Sequence, residues 1–234
     1  MSELKAVLWD LDGTLIDSEG PWFVAIQQLV AAYGLEWTDE DRVRTIGQHL
    51  PDSAAELRLR GVDLPADVII ERLSDQVSAW LVETQPFAPG ALALVAGCAE
   101  AGLMQGLVTM SYRRMVDPLV AVVHQSVPGG FGVVVTGDAV SRGKPFPDPY
   151  WQAVSALGLT PADCLAIEDS PTGVASALAA GVTTVAVPGP AEIVVRPRLS
   201  RVPSLADLDV ARLRSIHSGQ AIDWLADAGA APAG

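Results

Sequence analysis

Two aspartates, Asp10 and Asp12, lie two positions apart in Trp9-Asp10-Leu11-Asp12-Gly13-Thr14, directly after the apolar stretch Ala6-Val7-Leu8-Trp9. On an extended backbone, side chains two apart point the same way, so the pair would leave the end of a strand together. Neighbouring like charges coexist if a cation lies between them or if they differ in protonation. An all-oxygen donor set selects a hard cation, and Mg²⁺ is the natural choice. Alone, Asp-x-Asp-Gly is more often a strand-end turn. Three further apolar runs, however, also end in residues capable of chemistry. Val108-Thr109-Met110-Ser111 offers a hydroxyl and backbone N–H groups to an oxyanion. Ser141-Arg142-Gly143-Lys144-Pro145 sets a lysine beside a rigid proline. Ile167-Glu168-Asp169-Ser170-Pro171-Thr172-Gly173 adds two acids where a helix should begin. In isolation Thr109 reads as a β-branched strand residue, Lys144 as a solvated surface charge, and Asp169 or Ser170 as a helix cap. Glu168 has no such reading. Their joint occurrence at four successive strand ends is what makes the signal specific.

For those ends to meet, the apolar runs must lie side by side. Ala6–Trp9, Gly106–Thr109, Val133–Val135, Leu165–Ile167 and Thr184–Val187 are short, continuous and rich in β-branched residues. That suits strands buried on both faces of a parallel sheet. Helical patterns separate them over Ala91–Ala101, Arg113–Val123, Pro149–Leu157 and Val174–Ala180, and Gly102, Gly158 and Gly181 stand where three of these should stop. The alternation predicts an α/β fold with a doubly wound parallel sheet, which binds ligands outside the carboxyl ends of its strands. Beyond Pro188 the pattern weakens. A last short strand and turn are expected within Val202–Leu208, a helix over Val210–Ile216, and a frayed, disordered tail over 226–234.

Residues 18–86 break the alternation. Trp22, Ile26, Leu29, Val30 and Tyr33 share one helical face, and amphipathic stretches cover 52–60 and 66–83. The expectation is an all-helical insertion, with hinges at Gly20-Pro21 and at Pro86 to Gly90. The core is then 1–17 with 87–225.

Composition narrows the function class. Of 234 residues, 50% are apolar and 18% charged, which excludes a disordered chain. No apolar run approaches the ~18 residues of a membrane helix, and Met1-Ser2-Glu3-Leu4-Lys5 does not read as a secretory signal. Lys and Arg number 15 against 28 Asp and Glu, a net charge of −13 that repels nucleic acid and anionic lipid. A small anionic substrate is still compatible, because a site can be locally positive. Cys98 and Cys164 read as buried thiols in a reducing cytosol, so the expected location is cytoplasmic. His49, His124 and His217 have no zinc-site spacing. Nothing marks an oligomeric interface, and a monomer is compatible with the sequence.

In order and strand-end position these residues resemble the haloacid dehalogenase-like hydrolase superfamily, in its helical-cap branch. Asp10-Leu11-Asp12-Gly13-Thr14 is similar to its first motif, Thr109 to the second, Lys144 to the third and Glu168-Asp169 to the fourth. The resemblance spans roughly residues 5 to 187. It implies that Asp10 attacks phosphorus to form an aspartyl-phosphate and that Asp12 is the general acid and base. Mg²⁺ would be held by Asp10, Asp169, the Asp12 backbone carbonyl and, directly or through water, Glu168. Thr109, Met110 and Lys144 would bind phosphoryl oxygens. Met110 departs from the family pattern, since many relatives have Asn there. Residues 18–86 would be a cap that chooses the organic part of the substrate. Trp22 and Gly47-Gln48-His49-Leu50 are the candidates facing the site, although Trp22 also reads as a core anchor and His49 as a surface residue.

The expected activity is Mg²⁺-dependent hydrolysis of a small phosphomonoester such as a sugar or polyol phosphate. The alternative is a sugar-phosphate mutase resembling β-phosphoglucomutase. That type carries an Arg three residues after the cap-loop Gly, where this chain has Leu50, although Arg58 or Arg60 could hold a second phosphate. A dehalogenase would lack the second carboxylate at Asp12. A phospho-acceptor regulatory domain, which uses similar residues, would lack the helical insertion.

Overall fold

The computed structural model describes residues 3–45 and 50–225. The apolar runs pair as parallel strands, β1 (Ala6–Trp9), β2 (Met104–Val108), β3 (Val133–Val135), β4 (Cys164–Glu168) and β5 (Thr183–Ala186), and a further strand, β6 (Leu199–Arg201), joins them. They form one sheet in the order β3-β2-β1-β4-β5-β6. β1 is apolar throughout because both its faces are covered. Val7 and Trp9 pack with Leu107, Leu165 and Ile167 against α5 (Ala91–Glu100), α6 (Arg113–Ser126) and α9 (Val210–His217). Ala6 and Leu8 pack with Val108 and Ala166 against α7 (Asp148–Ala156) and α8 (Pro171–Ala179). Gln105, a buried polar residue of β2, accepts from Trp9 Nε1 and donates to the Val95 carbonyl, so its burial leaves no amide atom unmatched.

Among the described residues, four helices come between β1 and α5: α1 (Glu19–Ala31), α2 (Asp39–Thr45), α3 (Leu50–Leu59) and α4 (Ala66–Thr84). Ile26 and Val30 are the buried members of the α1 stripe, while Trp22, Leu29 and Tyr33 are half-buried against the same core. α2 has no apolar periodicity to announce it. Its start is fixed by a reciprocal cap, Asp41 N–H to Thr38 Oγ1 and Thr38 N–H to Asp41 Oδ2, and by acids in the first turn. The chain leaves and re-enters the sheet layer side by side, with Asp17 N–H bonded to the Pro86 carbonyl and Ala88 N–H to that of Leu15. Gly20-Pro21 lies in the first turn of α1, just after this crossing begins. α4 packs across α6, where Ser78 Oγ donates to the Met115 carbonyl and Arg114 pairs with Glu71 and Asp75.

The last strand differs from expectation. It lies at Leu199–Arg201, before the apolar stretch at Val202–Leu208. Val202, Leu205 and Leu208 are buried, but they are spaced by threes, and a 3₁₀ turn over Leu205–Asp207 buries them. The tail expected over 226–234 lies outside the described residues. No helix among the described residues is long and apolar enough to cross a membrane.

Both cysteines are free and buried. Burial pushes the Cys98 and Cys164 thiols each up to about 12. The native protein should therefore resist iodoacetamide at pH 8, and both thiols should be alkylated once guanidinium unfolds the chain, read by mass spectrometry.

Candidate active site

β1 stands where the sheet divides, with β2 and β3 on one side and β4 to β6 on the other, so the loops leaving β1 and β4 diverge and open a crevice. Trp9 is in register with Leu107 and Ile167. One step further along the three strands stand Asp10, Val108 and Glu168. Asp10 N–H bonds to the Ile167 carbonyl at 3.0 Å, which fixes the aspartate at the sheet edge.

Asp10, Glu168 and Asp169 are all buried, and each brings a carboxylate oxygen within 4.8 Å of the others. Lys144 Nζ donates to Asp10 Oδ1 at 2.6 Å and to the Val108 carbonyl at 2.8 Å, and pairs with Glu168 Oε1 at 2.6 Å. Tyr150, fully buried on α7, donates its hydroxyl to the same Glu168 oxygen at 2.6 Å. One ammonium thus faces three buried carboxylates. Burial and then the neighbouring carboxylates raise Asp10 and Asp169 well above the usual range, with Lys144 pulling the other way. Burial would depress Lys144, but Asp10 and Glu168 overcome it and hold the ammonium above its ordinary value. Asp10 Oδ2 is buried with no partner among the described residues. Excess buried negative charge, an orphaned carboxylate oxygen and oxygen-only donors fit a divalent hard cation.

Two glycines make room for this cluster. A Cβ at Gly13, whose φ is +83°, would stand 2.0 Å from Asp169 Oδ2, and one at Gly173 would stand 1.8 Å from Glu168 Oε2. Gly13→Ala should therefore cost about 1–2 kcal/mol from backbone strain alone and lower turnover by about 100-fold or more as Asp169 is displaced. Gly20→Ala, with nothing within 4 Å, is the silent control. Thermal melts and phosphate-release assays on the two variants check this.

Asp12 is held on both oxygens. Oδ1 accepts from Ser18 Oγ at 2.5 Å and Trp22 Nε1 at 3.4 Å, and Oδ2 from Ser111 Oγ at 2.6 Å and Thr109 Oγ1 at 3.3 Å. Ser18 is the N-cap residue of α1, yet its side chain makes no capping bond to the helix. Its hydroxyl serves Asp12 instead.

Asp10, Asp12, Thr109, Met110, Lys144 and Asp169 line one cavity of about 380 Å³, and Trp22 stands in its wall. Glu168 lies behind them, 0% exposed. Gln48 and His49 lie outside the described residues. Arg60, a candidate second anion site, instead pairs with Asp41 and Glu56 and lies over the Trp37 ring. Sequence reasoning did not single out Ser18, Ser111, Tyr150 or Arg42, the last of which lines the cavity. Ser111 follows Thr109 by two positions at a strand end and was the most accessible to it. The others carry no local pattern.

Comparison with known proteins gives a consistent relationship. A family model described as haloacid dehalogenase-like hydrolase matches residues 7–187. Protein CbbY of Rhodobacter capsulatus is 38% identical over 199 residues, covering 80% of this chain and 86% of that protein. Hexitol phosphatase A of Escherichia coli is 34% identical over 201 residues, covering 85% and 88%. Among solved structures, a mutant CbbY from Rhodobacter sphaeroides in complex with xylulose-(1,5)bisphosphate superposes with a TM-score of 0.78 at 27% identity, over 90% of this chain and 99% of that one.

Proposed function

The chain belongs to the haloacid dehalogenase-like hydrolase family, and from that membership we propose that it is a Mg²⁺-dependent phosphatase of a small phosphorylated metabolite, working through an aspartyl-phosphate. The observation that carries this is the pairing of two different aspartates on one loop. Asp10 sits in a charge cluster with an oxygen to spare, and Asp12 sits two residues away under four donors. Names borne by its relatives, a hexitol phosphatase and a CbbY holding a sugar bisphosphate, support a phosphomonoester substrate.

Asp10 attacks phosphorus in line with the ester oxygen, which leaves as the alcohol with a proton from Asp12. Asp12, now ionised, takes a proton from the water that attacks the aspartyl-phosphate, releasing phosphate and restoring Asp10. Lys144 fixes the nucleophile by its bond to Asp10 Oδ1 and keeps a positive charge beside the phosphoryl site. Thr109 and the Met110 backbone complete the phosphoryl cradle. Mg²⁺, held by Asp10, Asp169, Glu168 and the Asp12 carbonyl, would offset the repulsion between an anionic nucleophile and an anionic substrate. Residues 18–86 act as the cap over a core of 1–17 and 87–225, closing the cavity above the phosphoryl group.

The test is phosphate release with Mg²⁺ across sugar, polyol, nucleotide and amino-acid phosphates. A hexose 1-phosphate with a bisphosphate primer is included and scored for isomerisation. Release that stops with EDTA is expected. Isomerisation faster than release would replace hydrolysis with mutase action.

A further inference from the structure

Lys144 Nζ is met by three oxygens: Asp10 Oδ1 at 2.6 Å, the Val108 carbonyl at 2.8 Å and Glu168 Oε1 at 2.6 Å. An ammonium has three protons, so this one is fully committed. On the phosphatase reading it must also hold a phosphoryl oxygen, and one of the three partners has to be given up. The lysine stands at the boundary where that choice is made. Asp10 and Lys144 line the cavity, whereas Glu168 and Tyr150 lie behind it, both 0% exposed.

The three acceptors are not equal. Among the described residues, no other donor reaches the Asp10 carboxylate, whose Oδ2 is already orphaned, and no other side chain donates to the Val108 carbonyl. Releasing Asp10 would leave a buried, charged acceptor bare and the nucleophile free to turn. Glu168 Oε1 alone has a second side-chain donor, the Tyr150 hydroxyl at 2.6 Å. That phenol keeps its proton at neutral pH. Its ring sits in an apolar cluster with Leu8, Val108, Ala153 and Ala166, and its centre is 5.5 Å from the Lys144 ammonium. The hydroxyl is therefore held in place when the lysine shifts. Gly173 closes the opposite side, where even a Cβ would strike Glu168 Oε2. We propose that Tyr150 is a positioning residue that keeps Glu168 bonded while Lys144 exchanges it for a phosphoryl oxygen. This role deepens the phosphatase reading and rests on it.

Tyr150→Phe keeps the ring and removes the hydroxyl. In calorimetric titrations at saturating Mg²⁺, its Kd for inorganic phosphate should rise by about tenfold or more. KM for p-nitrophenyl phosphate should rise with it. A purely structural loss lowers kcat through the folded fraction and leaves both constants unchanged. That result, or an unchanged phosphate Kd, overturns the exchange. So does a loss of Mg²⁺ affinity, titrated without phosphate, as large as the loss of phosphate affinity, because Tyr150 would then serve only to orient a metal ligand. Wild-type protein that neither binds phosphate nor hydrolyses the ester overturns the phosphatase reading and the exchange together. Hydrolysis by the wild type with an unmoved phosphate Kd in the variant strikes the exchange alone. If circular dichroism shows that Tyr150→Phe does not fold, 3-fluorotyrosine in the wild type, which has three tyrosines, decides the matter. The ¹⁹F resonance that survives Tyr33→Phe and Tyr112→Phe should shift when phosphate joins the Mg²⁺-loaded protein, and a resonance that stays put overturns the exchange.

Discussion

Asp10→Asn is expected to lower phosphate release by about 10⁴-fold or more, which is about 5 kcal/mol of transition-state stabilisation. The amide keeps the shape of the carboxylate and a carbonyl oxygen that can still accept from Lys144, now at 2.6 Å from Oδ1. It cannot serve as the anionic nucleophile, so the two-step route through a covalent intermediate closes. Acid-quenched wild-type enzyme should carry one added phosphoryl group by mass spectrometry during turnover, and the variant none. Residual release within tenfold of wild type would show that Asp10 is not the attacking group.

Asp169→Asn should also abolish turnover, but its effect on stability is the more telling. Burial and the charges of Asp10 and Glu168 raise the Asp169 carboxyl in the fold. An acid whose folded pKa lies above its unfolded one weakens the fold progressively as pH rises from the unfolded value, about 3.9, toward the folded one. In EDTA, then, wild-type stability should fall across that window, and Asp169→Asn should fall less and melt higher at pH 7.5. Each kcal/mol relieved adds about 2–4 °C to Tm for a chain of this size. Mg²⁺ should reverse the order if it is held as proposed, because it would then stabilise the wild type but find an incomplete donor set in the variant. Melts with and without Mg²⁺ read both effects. A variant that melts lower than wild type in EDTA would mean that Asp169 is there for structure.

Much of this arrangement was legible from residue order. The strands around the site are short apolar runs because helices cover both faces, and the reactive residues follow those runs because the sheet edge is where side chains become free to act. Other features were hidden for physical reasons. β6 reads Leu-Ser-Arg, held by backbone pairing to β5 and showing no apolar run. Tyr150 looks like one more apolar position on α7, and its role appears only when Glu168 is found at the end of its hydroxyl. Ser18 resembles any helix-capping serine until its bond is traced to Asp12. Such partners are joined through space, across long loops, and leave no periodic trace in the chain.

The four donors on Asp12 divide evenly. Thr109 and Ser111 belong to the end of β2, whereas Ser18 and Trp22 belong to the start of α1. Any displacement that lifts α1 from the sheet strips Asp12 of half its partners. The proposed proton carrier is therefore assembled at a seam between the end of β2 and the start of α1, in the manner of an interlock. Its geometry is complete when the helix that roofs the substrate is seated, and an unroofed cavity would expose phosphate to water without a positioned acid.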